Sequence, residues 1–114
     1  MRVLITGATG FVGRFVAEHL TASDPSTEIW GLVWRGGSRP PLEEVTAVSG
    51  DLIDRPSLDH AIRTCRPEVV IHLASASSVA ASWHDPQRYL KTNLAGTVNL
   101  FEAILEAGVD SKVI

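Results

Sequence analysis

Apolar and polar positions alternate along the chain in blocks of two kinds. Short β-rich runs occupy residues 2–6, 28–34, 45–49 and 69–73. Between them, Val12, Phe15, Val16, His19 and Leu20 recur at the spacing of one helix face. Leu58, Ala61, Ile62 and Cys65 share a second face. Leu90, Leu94, Thr97, Val98, Phe101, Ile104 and Leu105 hold a third stripe for about five turns.

The boundaries are marked chemically. Asp54 is an N-cap candidate with Pro56 in the first turn, and Asp85-Pro86 repeats that start. Arg66-Pro67 ends the second helix, and Gly108 stands where a left-handed residue closes the third. Residues 21–27 and 35–41 read as loops, the first containing Pro25, the second rich in glycine and proline. The run 69–73 is apolar almost throughout, as in a strand covered on both faces. Lys112-Val113-Ile114 opens one more strand. Strands alternating with helices predict an α/β fold with a parallel sheet and right-handed crossovers.

Gly7-Ala8-Thr9-Gly10-Phe11-Val12-Gly13 follows the first strand and opens the first helix. The first glycine permits the tight turn. The second lets backbone approach a pyrophosphate, and the third lets the helix settle on the sheet. Free N–H groups at the helix start then face the phosphates. In this strand–turn–helix setting the spacing predicts dinucleotide binding on a Rossmann-type doubly wound sheet. The competing reading is a glycine turn kept for packing alone.

Cofactor choice is read at the end of the second strand, where an acid would bind the ribose 2′-hydroxyl of NAD and an arginine the 2′-phosphate of NADP. That strand ends at Trp34-Arg35 without an acid, and Glu28 lies at its wrong end. The expectation is therefore NADP(H) over NAD(H), with Arg35 on the phosphate, helped by Arg39 or Arg14. The competing reading is a solvated loop arginine.

Thr6-Gly7-Ala8-Thr9-Gly10-Phe11-Val12-Gly13 resembles the TGxxGFxG fingerprint of the extended short-chain dehydrogenases/reductases, the NAD(P)-dependent nucleotide-sugar epimerase and dehydratase family. Gly50-Asp51-Leu52 resembles the GDL after that family's third strand, which implies that Asp51 meets the adenine amino group and Leu52 its ring. Residues 67–75 resemble the PDxVxHLAA fourth strand, whose end lies beside the cofactor ribose and phosphates. Asn93-Leu94-Ala95-Gly96-Thr97 resembles NxxGT, in which the asparagine is structural. The implied cofactor-binding residues are Thr6, Gly7, Gly10, Phe11, Val12, Gly13, Arg35, Asp51, Leu52, Leu73, Ala74 and Ser75. Residues 31–35 and 77–83 further resemble the GDP-mannose 4,6-dehydratase and GDP-4-keto-6-deoxymannose reductase branch, which implies a GDP-linked sugar. Two departures stand out: Ser75 replaces the second alanine of HLAA, and Ala76 a common glutamine. The resemblance implies that His72 is a packed or hydrogen-bonding residue; a catalytic role would need convergent partners, and the sequence offers none.

Three residues run the family's reaction: a Ser or Thr at the end of the fifth strand, a Tyr, and a Lys four residues after it. None falls within residues 1–114. The one tyrosine, Tyr89, has Asn93 at i+4, while Lys91 sits about 200° around the helix. No catalytic residue is assigned. The chain is read as the N-terminal part of one NAD(P)-binding domain, without the substrate-binding C-terminal region and ending inside the fifth strand. Its parent would be an NADP(H)-dependent oxidoreductase, epimerase or dehydratase, with nucleotide sugar bound only by the longer chain. Two alternatives stand beside this, a non-catalytic NAD(P)-binding module (redox sensor or structural subunit) and a truncated gene product without activity. The cut sheet would leave the strand at 69–73 short of a neighbour, predicting self-association or completion by another chain.

Composition changes this picture little. The 114 residues suit one domain, and a net charge of −3 gives no electrostatic reason for nucleic acid or an anionic membrane as partner. No apolar run approaches the ~20 residues of a membrane span. Met1 leads straight into a strand, without the pattern of a secretory signal. Cys65 is the sole cysteine, which excludes an intramolecular disulfide and disfavours a cysteine-based metal site; it reads as a core residue. The expected location is the cytoplasm.

Overall fold

The computed structural model describes residues 1–37 and 40–114. Strands β1 (Arg2–Thr6), β2 (Glu28–Val33), β3 (Thr46–Ser49), β4 (Val69–His72) and β5 (Lys112–Val113) form one parallel sheet in the order β3-β2-β1-β4-β5. The central strand β1 sets the register, with Leu4 opposite both Trp30 and Val70. Its side chains alternate between the two faces. Leu4 joins Leu32, Val48 and Val70 in one core cluster, and Val3 and Ile5 join Ile29 in the other.

Helix α2 (Arg55–Cys65) covers the first face and buries the predicted Leu58, Ala61, Ile62 and Cys65. Burying a side chain the size of Leu58 or Ile62 contributes roughly 1.5–3 kcal/mol each. The helix ends at Arg66, which adopts a left-handed φ of 42° just before Pro67. Asp54 occupies the N-cap position without capping through its side chain. Ser57 Oγ works there instead, donating to the Asp54 carbonyl and accepting the Asp51 N–H. Arg55 ties α2 to the last helix through Asp59, Glu102 and Glu106. Hydrogen bonding to Asp59, ahead of Glu106, raises its pKa above the ordinary guanidinium value.

Helix α1 (Phe11–Ser23) covers the second face and runs into the segment read as loop. Its buried residues are Gly13 and Ala17, with Val16 and Leu20 packed beside them. Phe11, Val12 and Phe15 are exposed, the two phenylalanines meeting edge to face. The predicted stripe thus contained the sheet-facing edge but overstated its width, because small residues make the closest contact.

The third stripe departs further. Short helices α3 (Val79–His84) and α4 (Pro86–Leu90) lead into a π-helical turn at Lys91–Ala95, and then into α5 (Gly96–Glu106). Of these, α3 follows from no apolar periodicity. The buried residues of α5 are Gly96, Leu100, Ala103 and Ile104. Leu90, Leu94, Val98, Phe101 and Leu105 are exposed instead. This segment is apolar on two faces, and spacing alone does not say which one the sheet covers. Gly108 closes the helix with a φ of 60°, as predicted.

The strand read as short of a neighbour is paired. Lys112 N–H donates to Glu68, Ile114 N–H to Val70, and His72 N–H to the Ile114 carbonyl, so β4 has a neighbour on both sides. Among the described residues no helix is long and apolar enough to cross a membrane.

Candidate functional site

The order in which strands are added to the sheet reverses between β1 and β4. From β1 the chain crosses to β2 through α1 on one face, and from β4 to β5 through α5 on the other. A crevice opens at such a point, outside the C-terminal ends of the strands. Here it is a cleft of about 640 Å³ reaching from Gly7 and Thr9 across Leu32, Gly50 and Ala74 to Asp85, Arg88 and Lys91.

The glycine turn is shaped by close backbone approach. Gly7 has a φ of 74°, and a Cβ there would lie 2.9 Å from the Ala74 nitrogen. A Cβ at Gly13 would lie 2.2 Å from the Gly7 carbonyl oxygen, so this position accepts glycine alone. At Gly10 a Cβ would touch nothing but that same oxygen, at 3.2 Å, leaving an open approach. The turn closes through Gly10 N–H on the Gly7 carbonyl at 3.0 Å. No side chain caps α1, and its first turn holds no acid. Its leading N–H groups and positive dipole end therefore suit an anion.

The far half of the cleft is fixed by side chains on α5 and the π turn. Asn99 Nδ2 donates to the Leu52 carbonyl at 2.8 Å, and Leu52 packs on Gly96. Asp51 Oδ1 accepts the Ile53 N–H at 3.0 Å, which holds the turn. Asn93 clasps Ala76 twice, accepting its N–H at 2.7 Å and donating to its carbonyl at 3.0 Å. Below the floor, Thr6 Oγ1 meets His72 Nδ1 at 2.6 Å and the Ala74 N–H at 3.1 Å. His72 Nε2 meets Thr97 Oγ1 at 2.9 Å. Burial holds the His72 pKa below its ordinary value. No group of three or more His, Cys, Asp or Glu residues suited to a metal exists among the described residues.

Of the residues singled out in sequence, Gly7, Asp51, Leu52, Ala74 and Ser75 line the cleft. Thr6 is fully buried beneath it. Gly10 and Gly13 shape the turn, and Leu73 packs toward α1. Phe11 and Val12 are exposed and do not line the cleft. Arg35 points its Nε at Ser49 Oγ, 3.4 Å away, and lines a neighbouring recess that shares Trp34, Gly50 and Asp51 with the cleft. Arg14 Nη1 donates to the Pro40 carbonyl at 3.2 Å and so holds the loop after β2. Arg39 lies outside the described residues. Sequence reading did not single out Arg88, Lys91 or Asn99 for the site, and named Thr97 only within the third stripe and the NxxGT segment. Their signal, polar residues on the helix following β4, emerges only once the π turn sets their direction.

Comparison with known proteins agrees with this arrangement. A family model described as the NAD dependent epimerase/dehydratase family matches residues 3–114. A probable UDP-glucuronate 4-epimerase of Rhizobium meliloti is 35% identical over 112 residues, covering 90% of this chain and 33% of the relative. A dTDP-glucose 4,6-dehydratase of Neisseria meningitidis is 33% identical over 113 residues, covering 90% of this chain and 31% of its own. The crystal structure of the Thermus thermophilus UDP-glucose 4-epimerase in complex with NAD superposes with a TM-score of 0.81 at 35% identity, over 96% of this chain and 35% of that one. The chain thus spans about a third of the length of the relatives it matches.

Proposed function

The chain belongs to the NAD-dependent epimerase/dehydratase family, and we propose that it is the part of a nucleotide-sugar epimerase, dehydratase or reductase that binds the dinucleotide. The observation carrying this reading is the Gly7–Gly13 turn, which places an uncapped helix N-terminus at the sheet's switch point beside a largely apolar cleft edged by Asp51, Asp85, Arg88 and Lys91. A turn held tight where a Cβ at Gly7 or Gly13 would strike backbone, and left open at Gly10, fits a pyrophosphate at the α1 N-terminus. Asp51 and Leu52 would meet the adenine, and Ala74 and Ser75 the adjoining ribose and phosphates. When bound, NAD(P) supplies the hydride chemistry. This chain's residues bind and orient it. Residues 1–114 hold no Tyr-x-x-x-Lys pair, so no proton-transfer role is assigned to any of them.

Two finer assignments belong to the same proposal. NADP(H) preference rests on Arg35, which follows β2 where no acid stands, and whose recess adjoins the cleft. NAD(H) is the competing cofactor, since the Thermus thermophilus relative was solved with NAD. A GDP-linked sugar rests on the resemblance of residues 77–83 alone; the named relatives act on UDP- and dTDP-linked sugars.

Fluorescence titration of the chain with NADH and NADPH tests the proposal. Saturable binding of either supports it, and a folded chain that binds neither refutes it. Arg35→Ala should lower the NADPH/NADH affinity ratio. An unchanged ratio would remove the NADP assignment and leave nucleotide binding standing.

A further inference from the structure

Thr6, His72 and Thr97 join the cleft floor to its helical wall, and elimination places their hydrogen atoms. Thr97 Oγ1 lies 2.7 Å from the Asn93 carbonyl oxygen, which only accepts, so the single hydroxyl hydrogen of Thr97 is committed there. The 2.9 Å contact with His72 Nε2 then requires Nε2 to donate. At the other ring nitrogen, Thr6 Oγ1 already accepts the Ala74 N–H and has its one hydrogen left for Nδ1. Each of the three side chains donates once and accepts once.

We infer that His72 is a positioning residue for the nucleotide cleft, locked as the neutral Nε2–H tautomer in a one-way chain of hydrogen bonds from the Ala74 N–H to the Asn93 carbonyl. Both ends of the chain bear on the cleft. Ala74 lines it, and the Asn93 side chain clasps Ala76, so loop 74–76 is held from two sides by one network. The opposite tautomer would point Nδ1–H at Thr6 and draw the Thr97 hydrogen away from Asn93. A second proton would leave the Thr6 hydroxyl hydrogen without an acceptor at a position with no solvent access. The side chains facing the ring are the uncharged hydroxyls of Thr6 from β1 and Thr97 from α5. From β5, the Ile114 carbonyl meets only the backbone N–H of His72. Burial, not a neighbouring charge, depresses the pKa. The clamp is therefore complete above the ordinary imidazole value of 6.5 and is lost as pH falls through the lower folded value.

The test is a two-bond ¹H–¹⁵N spectrum of the imidazole rings in the 114-residue chain near neutral pH. The expected result is Nε2 protonated and Nδ1 bare at His72. An Nδ1–H form or a fast tautomer mixture would overturn the inference. Only the affinity arm rests on the proposed nucleotide binding, so a chain that binds no NADH would sink that function while the ring spectrum still decides the tautomer. In Thr97→Val the tautomer bias should collapse and NADH affinity fall roughly 3- to 10-fold. Thr97→Ser should retain both. A folded Thr97→Val protein with the wild-type ring spectrum would contradict the chain. If Thr97→Val does not fold, the wild-type spectrum alone carries the decision.

Discussion

The two faces of the sheet are built to different densities. On the α2–α5 face, twelve buried residues form one cluster; on the α1 face the described residues include six. One helix covers the second face, and Val69, Ile71 and Leu73 at its β4 end are only partly buried. The dense face also carries the side-chain clamps on the cleft, from Asn99 to Leu52, Asn93 to Ala76, and His72 to Thr97. The sparse face carries the glycine turn, whose shape depends on backbone fit at Gly7 and Gly13. Stability and cleft position thus belong mainly to one face, and anion approach to the other.

The largest expected effect follows from breaking the dense face. Leu58→Ala, at a fully buried site, should cost about 2–5 kcal/mol in chemical denaturation. Val16→Ala on the sheet-facing side of α1 should cost about 1 kcal/mol or less, since that side chain is only partly buried. Equal losses would erase the contrast between faces. Gly13→Ala should cost about 1–3 kcal/mol, because its Cβ would overlap the Gly7 carbonyl. It should also weaken NADH binding by more than its stability loss accounts for, whereas Leu58→Ala should leave the affinity of the remaining folded protein unchanged.

Smaller effects sharpen the comparison. Burial on the dense face pushes the Cys65 thiol up to about 11. Thiolate is the reactive form, so labelling by a thiol reagent at about pH 8, near the ordinary thiol pKa, should be slow in the native chain and should track unfolding. Rapid native labelling would mean that the face opens readily. Phe15→Ser, on the exposed side of α1, should change stability by no more than about 0.5 kcal/mol.

Much of this division was legible in sequence. The alternation of strands and helices along the chain, the α2 face and the end at Arg66-Pro67 followed from period and punctuation, because α2 carries apolar residues on one side only. The stripe from Leu90 to Leu105 misled, because α5 is apolar on two sides and packs through Gly96 and Ala103, small residues that a hydrophobic stripe ranks low. The exposed Val12 and Phe15 of the first stripe misled in the same way, since α1 packs through Gly13 and Ala17. Of the cleft, the backbone elements were readable: Gly7, Gly13 and the Asp51-Leu52 turn. Of the polar clamps, the family resemblance pointed to Asn93 and His72 but not to their partners, and nothing pointed to Asn99. Thr97 and Asn99 gain their partners 25 and 47 residues away, and only the tertiary arrangement brings those together.

Everything proposed for the cleft depends on where a dinucleotide binds. Backbone ¹H–¹⁵N spectra of the labelled chain, recorded during titration with NAD, locate it directly. Saturable shifts should concentrate at the amides of Gly7 through Gly13, Asp51, Leu52, Ala74 and Ser75. Shifts confined to the recess around Trp30 and His60, or none at all in a folded chain, would contradict binding at the glycine turn.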